Sequence, residues 1–154
     1  MASPEKLMDL MTGACDLERA LMGGKRASSH LLGVALQPGE RSTLYKIARN
    51  EGISQRALSQ EMFRAKSATS VVVDQLEEKG LVVRTPVRTG PVRYLLTLTP
   101  KGREVYGEMV ELALRSASRI TEQLPLDAEQ LEQAVEVMGV VYRYYLRRGE
   151  SEAT

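Results

Sequence analysis

Leu7, Leu10, Met11, Ala14, Leu17 and Leu21 recur at helical spacing behind Ser3-Pro4-Glu5, a cap, an N1 proline and an acidic first turn. Gly23-Gly24 weakens or bends this helix before Ala27 to Ala35. Pro38 starts the next helix, with Leu44, Ile47 and Ala48 on its inner stripe, and Gly52 closes it. Ile53 adds one rung of a strand that a later ribbon completes. Ser54-Gln55-Arg56-Ala57-Leu58 opens a short helix, and Lys66-Ser67-Ala68-Thr69-Ser70 opens a second that Lys79-Gly80 ends. The β-formers of Leu81-Val82-Val83-Arg84 and Tyr94-Leu95-Leu96-Thr97-Leu98 then flank an Arg/Gly/Pro tip. Thr99-Pro100 starts a long helix to about Glu122, Leu124-Pro125 interrupts it, and Asp127 with Gln130 resembles a capping box for a last helix. This order predicts a mainly α fold with a small β-wing: a winged helix-turn-helix between N- and C-terminal helices.

The last helix is apolar over a wide arc. Leu131, Val135, Met138, Tyr142 and Tyr145 form one stripe, and Ala134, Val137, Val141 and Tyr144 a second beside it. Two stripes require two neighbours. The preceding helix, through Val105, Met109 and Leu112, is expected to cover one. The other falls to the N-terminal helix or to a second subunit, and we expect a homodimer held by terminal helices.

A chain of 154 residues is expected to be one domain with a real core. It has no apolar run of membrane-spanning length and no secretory-type leader, and the single Cys15 excludes an internal disulfide. The cytoplasm of a bacterium or archaeon is the expected setting. The net charge of +1 hides an asymmetry. Lys79, Arg84, Arg88, Arg93, Lys101 and Arg103 fall in a stretch without Asp or Glu, whereas acids outnumber bases from Glu104 to Glu136. One face can therefore attract phosphate. A phosphate-cradling Gly loop, a His/Cys metal spacing and a nucleophile–base pair are all missing, so neither an enzyme nor a metal or cofactor site is expected.

Thr69, Val72, Val73 and Leu76 share the inner face of the second helix of the pair. Its outer face carries Ser67, Ala68, Ser70, Val71, Asp74 and Gln75. These are the candidates for base contact, with Arg64 and Lys66 placed for phosphates. Ser54, Gln55 and Arg56 stand at the start of the first helix, and Arg84, Arg88 and Arg93 on the ribbon.

These segments, with Leu36-Gln37-Pro38-Gly39-Glu40, Val73-Asp74-Gln75-Leu76-Glu77-Glu78-Lys79-Gly80-Leu81-Val82 and Leu98-Thr99-Pro100-Lys101-Gly102, resemble the MarR family of winged-helix transcription regulators from about Pro4 to Arg148. The resemblance implies a single domain over 1–154, with dimerisation helices in 1–36 and 100–150 and a winged lobe in 37–99. It also implies a dimer on double-stranded, pseudo-palindromic DNA, usually a repressor relieved by a ligand or oxidant. Two departures stand out. Gly90, Pro91 and Val92 replace the family's Asp-x-Arg wing signature, and Val71 and Gln75 stand where basic residues are frequent. With Ala68 and Val71 suited to thymine methyls and Gln75 to adenine edges, half-sites containing A·T pairs are expected. The alternative is a winged helix used as a protein-interaction module or anti-regulator with weakened DNA binding; a PadR-like regulator is the nearest rival in fold.

The family's small effectors often lodge between dimer region and winged lobe. By position His30, Arg41 and Tyr45 are the polar candidates there, with Met11 and Cys15 as apolar lining. Arg41 would suit an anion, against the plainer role of a surface ion pair. Cys15 as an oxidant sensor is opposed by Asp16 and Glu18, which disfavour a thiolate.

Overall fold

The computed structural model describes residues 3–10, 12–13, 29–88 and 90–151. Residues 4–10 are helical, as the Ser3-Pro4-Glu5 start predicts. The next described elements are short strands, β1 (Ser29–Leu31) and β2 (Val34–Leu36), paired antiparallel with His30 opposite Ala35. Leu32 and Gly33 both have positive φ, +48° and +77°, as a two-residue type I′ hairpin turn requires. The sequence pattern did not announce this hairpin. Leucine is an uncommon left-handed residue, so the local signal is weak, and the burial of Leu31, Val34 and Leu36 in the core supplies the fold instead.

Helix α1 (Pro38–Arg49) begins at its proline, and Gly52 follows it in the left-handed region at φ +85°. Strand β3 (Ile53–Ser54) leads into α2 (Gln55–Glu61) and α3 (Lys66–Glu78). The wing strands are β4 (Val82–Pro86) and β5 (Tyr94–Leu98). The sheet runs β3-β5-β4, all antiparallel, with Ile53 opposite Leu96 and Arg84 opposite Leu96 on its other side. Ile53 thus supplies the expected rung. Two helices close the chain, α4 (Pro100–Thr121) and α5 (Ala128–Ser151).

The buried apolar cluster lies between Leu31 and Val105, and Leu44, Ile47, Leu58, Val73, Leu76, Leu81 and Leu96 are fully enclosed in it. Beneath α3, Gly80 takes φ +70°, its N–H donates to Glu77 O at 2.8 Å, and Leu81 N–H donates to Leu76 O at 2.9 Å. These two bonds are a Schellman stop. The start of α4 is fastened to that stop. Thr99 Oγ1 donates to Gly80 O at 2.6 Å and accepts from Gly102 N–H at 2.9 Å, while Lys101 Nζ donates to Lys79 O at 3.0 Å. A Cβ on Gly102 would fall on the Leu81 carbonyl, so this close approach demands glycine.

The Asp127–Gln130 capping box is present, with Asp127 N–H to Gln130 Oε1 at 3.0 Å and Gln130 N–H to Asp127 Oδ1 at 2.8 Å. Packing of α5 differs from expectation. Val105 and Met109 of α4 face the lobe core, and α5 reaches that lobe at α2. Its anchor is Tyr142, whose hydroxyl accepts from Lys46 Nζ at 3.0 Å and donates to Glu61 O at 3.2 Å. Val135, Val137, Met138, Val140, Tyr144 and Tyr145 of the same helix are exposed.

Candidate nucleic-acid interface

Ser54 caps α2 as its position predicts, with Oγ accepting from Ala57 N–H at 3.2 Å. The chain turns through Met62 and Phe63, the latter left-handed at φ +49°, and enters α3 at Ala65. Ala65 makes no side-chain cap, which leaves first-turn N–H groups of α3 for an outside acceptor. On α3, Thr69, Val73 and Leu76 are buried and Val72 is half-buried. Lys66, Ser67, Ala68, Val71, Asp74 and Gln75 are exposed, Val71 to 55%. An exposed valine at that level has no packing role in the lobe.

The basic residues of the wing segment divide into two groups. Lys79 is turned inward: its Nζ pairs with the nearly buried Glu40 at 2.6 Å and donates to Ala35 O at 2.8 Å. Arg103 pairs with Glu51 at 2.9 Å, Lys101 holds the Lys79 carbonyl, and Arg84 pairs with Asp74 at 2.8 Å and with Glu77. Arg88 and Arg93 at the tip are exposed and have no such partner among the described residues. The tip itself is closed by Val87 N–H donating to Arg93 O at 2.9 Å, with Gly90 at φ +91°.

Between the wing and the helix pair lies a groove of about 650 Å³, lined by Ser54, Gln55, Arg56, Ser70, Asp74, Arg84, Pro91, Val92, Arg93 and Tyr94. A second cleft of about 450 Å³ lies at the start of α3, lined by Arg56, Ser59, Gln60, Phe63, Arg64, Ala65, Lys66 and Leu146. Together they take in most of the expected contact residues from Ser54 to Arg93; Ser67, Ala68, Val71, Gln75 and Arg88 lie outside both. Tyr94 and Phe63 were missed by sequence reasoning. Alternation along β5 could have found Tyr94, which shares a strand face with Leu96 and Leu98 but lies beyond the core, exposed where they are buried. Nothing local marks Phe63.

The sequence model of the MarR family matches residues 35–90. A Thauera aromatica protein named as a putative transcriptional regulatory protein for the hcr operon is 35% identical over 116 residues, spanning 75% of this chain and 67% of that one. The chain belongs to the MarR family. Among solved structures, Staphylococcus aureus MarR in complex with salicylate and kanamycin has a TM-score of 0.75 at 16% identity, covering 94% of this chain and 95% of that one. Streptococcus pneumoniae FabT in complex with DNA has a TM-score of 0.60 at 17% identity, covering 91% and 92%. The MarR fold expected from the sequence is therefore the fold observed, and the chain is a transcriptional regulator of the DNA-binding winged-helix type.

The expected effector residues of this MarR-family chain fall on other elements. His30 lies on β1. Arg41 and Tyr45 stand one turn apart on α1, with the Tyr45 ring 6.1 Å from that of Tyr106 on α4. Neither Arg41 nor Tyr45 lines either cleft. Met11 and Cys15 lie outside the described residues. No described helix is long and apolar enough to cross a membrane.

Proposed function

We propose that this chain acts as a homodimeric repressor on a pseudo-palindromic operator in double-stranded DNA. The observation that carries the reading is the placement of the outward cations. Arg56, Arg64, Lys66, Arg88 and Arg93 border the two clefts or the wing tip beside the exposed face of α3, while the other wing-segment cations are engaged within the lobe. Such an arrangement grips phosphates on either side of a helix in the major groove. Ser54 caps the first helix, Gln55 faces the DNA from it, Ser67, Ala68, Ser70, Val71 and Gln75 read bases, and half-sites with A·T pairs are preferred. Residues 1–36 and 100–150 supply the dimer contacts around a winged lobe of 37–99, supported by the exposed apolar side chains of α5. Cytoplasmic DNA is the target, and release by a small ligand near Arg41 and Tyr45 is part of the same reading.

Selection of bound fragments from a random DNA pool tests it. The expected product is two half-sites about one helical turn apart, bound with an affinity that falls steeply with salt. Replacing Arg88 and Arg93 with alanine lowers the salt slope by about 0.9 for each phosphate that is no longer neutralised. Recovery of no enriched sequence, with salt-insensitive binding, would instead favour the protein-interaction reading suggested by the missing wing signature.

A further inference from the structure

From the base of the wing, Arg84 reaches across to both helices of the reading head. Its Nη1 pairs with Asp74 at 2.8 Å and with Glu77, and its Nη2 donates to Gln55 Oε1 at 3.2 Å. Its backbone N–H donates to Glu77 Oε1 at 3.0 Å. One guanidinium from β4 thus joins α2 to α3, and it is only 19% exposed.

Hydrogen-bond chemistry gives this joint its effect. Asp74 and Glu77 hold the guanidinium against α3. A guanidinium has donors and no acceptor, so the Gln55 amide must turn its oxygen toward Arg84. The NH₂ of Gln55 is then left to face the groove between wing and helix pair, which both residues line.

We propose that Arg84 is a positioning residue: it fixes the Gln55 amide as a hydrogen-bond donor toward a base edge, without itself contacting a phosphate. The proposal rests on the DNA-binding reading above. It also accounts for a wing without an Asp-supported arginine at its tip, because the brace lies at the base of the wing instead.

The test uses the full chain on the selected operator and on a scrambled duplex, across a salt series, for wild type, Arg84→Met, Gln55→Met and the double variant. A positioning role predicts that Arg84→Met binds the operator about tenfold more weakly and scrambled DNA less than twofold more weakly, with an unchanged salt slope. Gln55→Met weakens operator binding by a similar factor, and the double variant is no weaker than either single, as expected for residues acting through one another. A slope reduced by about 0.9, with equal weakening on both duplexes, would make Arg84 a phosphate contact and overturn the proposal. Additive effects, or full discrimination retained by Arg84→Met, would also overturn it. If Arg84→Met does not fold, Arg84→Lys serves, since its ammonium keeps the charge but cannot hold three acceptors in one plane. Wild type that discriminates between the duplexes isolates a failure of this proposal; wild type that binds neither overturns the DNA-binding reading and this one with it.

Discussion

The winged lobe and the closing helices treat apolar side chains in opposite ways. From Leu31 to Val105 the inward apolar residues close on one another, and many have no exposed surface. Leu112 and Leu114 on α4, and Val135, Val137, Met138, Val140, Tyr144 and Tyr145 on α5, stay exposed. The lobe is a finished core, whereas the closing helices carry exposed apolar side chains, the surface on which the proposed dimer rests. The difference places stability in the lobe and the proposed assembly on the closing helices. Substitutions in the lobe should change folding, and substitutions on the outer helices should change association.

The largest effect is expected at the joint between α3 and α4. Gly102→Ala should cost about 3 kcal/mol in urea unfolding, because the added methyl meets the rigid Leu81 backbone. A cost under about 1 kcal/mol would show that α4 can back away from the lobe. On the other side of the comparison, Val140→Asp should weaken self-association about a hundredfold by sedimentation, roughly 2.7 kcal/mol. The same variant should leave the unfolding of the lobe within about 0.5 kcal/mol of wild type. Unchanged self-association would remove Val140 from the proposed dimer surface.

Glu40→Ala should cost about 2 kcal/mol, measured by urea unfolding. The cost falls on the lobe because Glu40 holds Lys79 and the Gln37 N–H together; it is moderated because the Lys79 side chain is 31% exposed. The smallest change, about 1 kcal/mol, is expected for Tyr142→Phe, which removes the hydroxyl bridging Lys46 to the Glu61 carbonyl. Because Tyr142 joins the two regions, hydrogen exchange should quicken at the end of α2 and in α5 together. Quickening in α5 alone would mean that the regions are independent.

Much of the scaffold was legible because its signals are local. Pro38 starts a helix by its fixed φ, Ser54, Thr99 and Asp127 start others through bonds that span only a few residues, and Lys79-Gly80 stops one by backbone geometry. The β1–β2 hairpin was not legible, since Leu32 is held left-handed by the burial of its neighbours and not by its own preference. The fates of the cations were hidden for a different reason. Lys79 meets Glu40 and Arg103 meets Glu51 across long stretches of chain, so a count of charges along the sequence overstates the basic surface. Tyr142 was readable as part of an apolar stripe, but the polar role of its hydroxyl depends on Lys46 and Glu61, far away in sequence.

The fastening of α4 to the end of α3 has a mechanical consequence. Thr99, Lys101 and Gly102 clamp the first turn of α4 to Lys79, Gly80 and Leu81, so the two helices share one rigid corner. With 22 residues, α4 is a lever roughly 33 Å long. A tilt of about 10° at that corner displaces the far end by about 6 Å. In reverse, a few ångströms imposed at the far end turn the reading helix by degrees, enough to bring it in or out of step with a groove whose position is fixed.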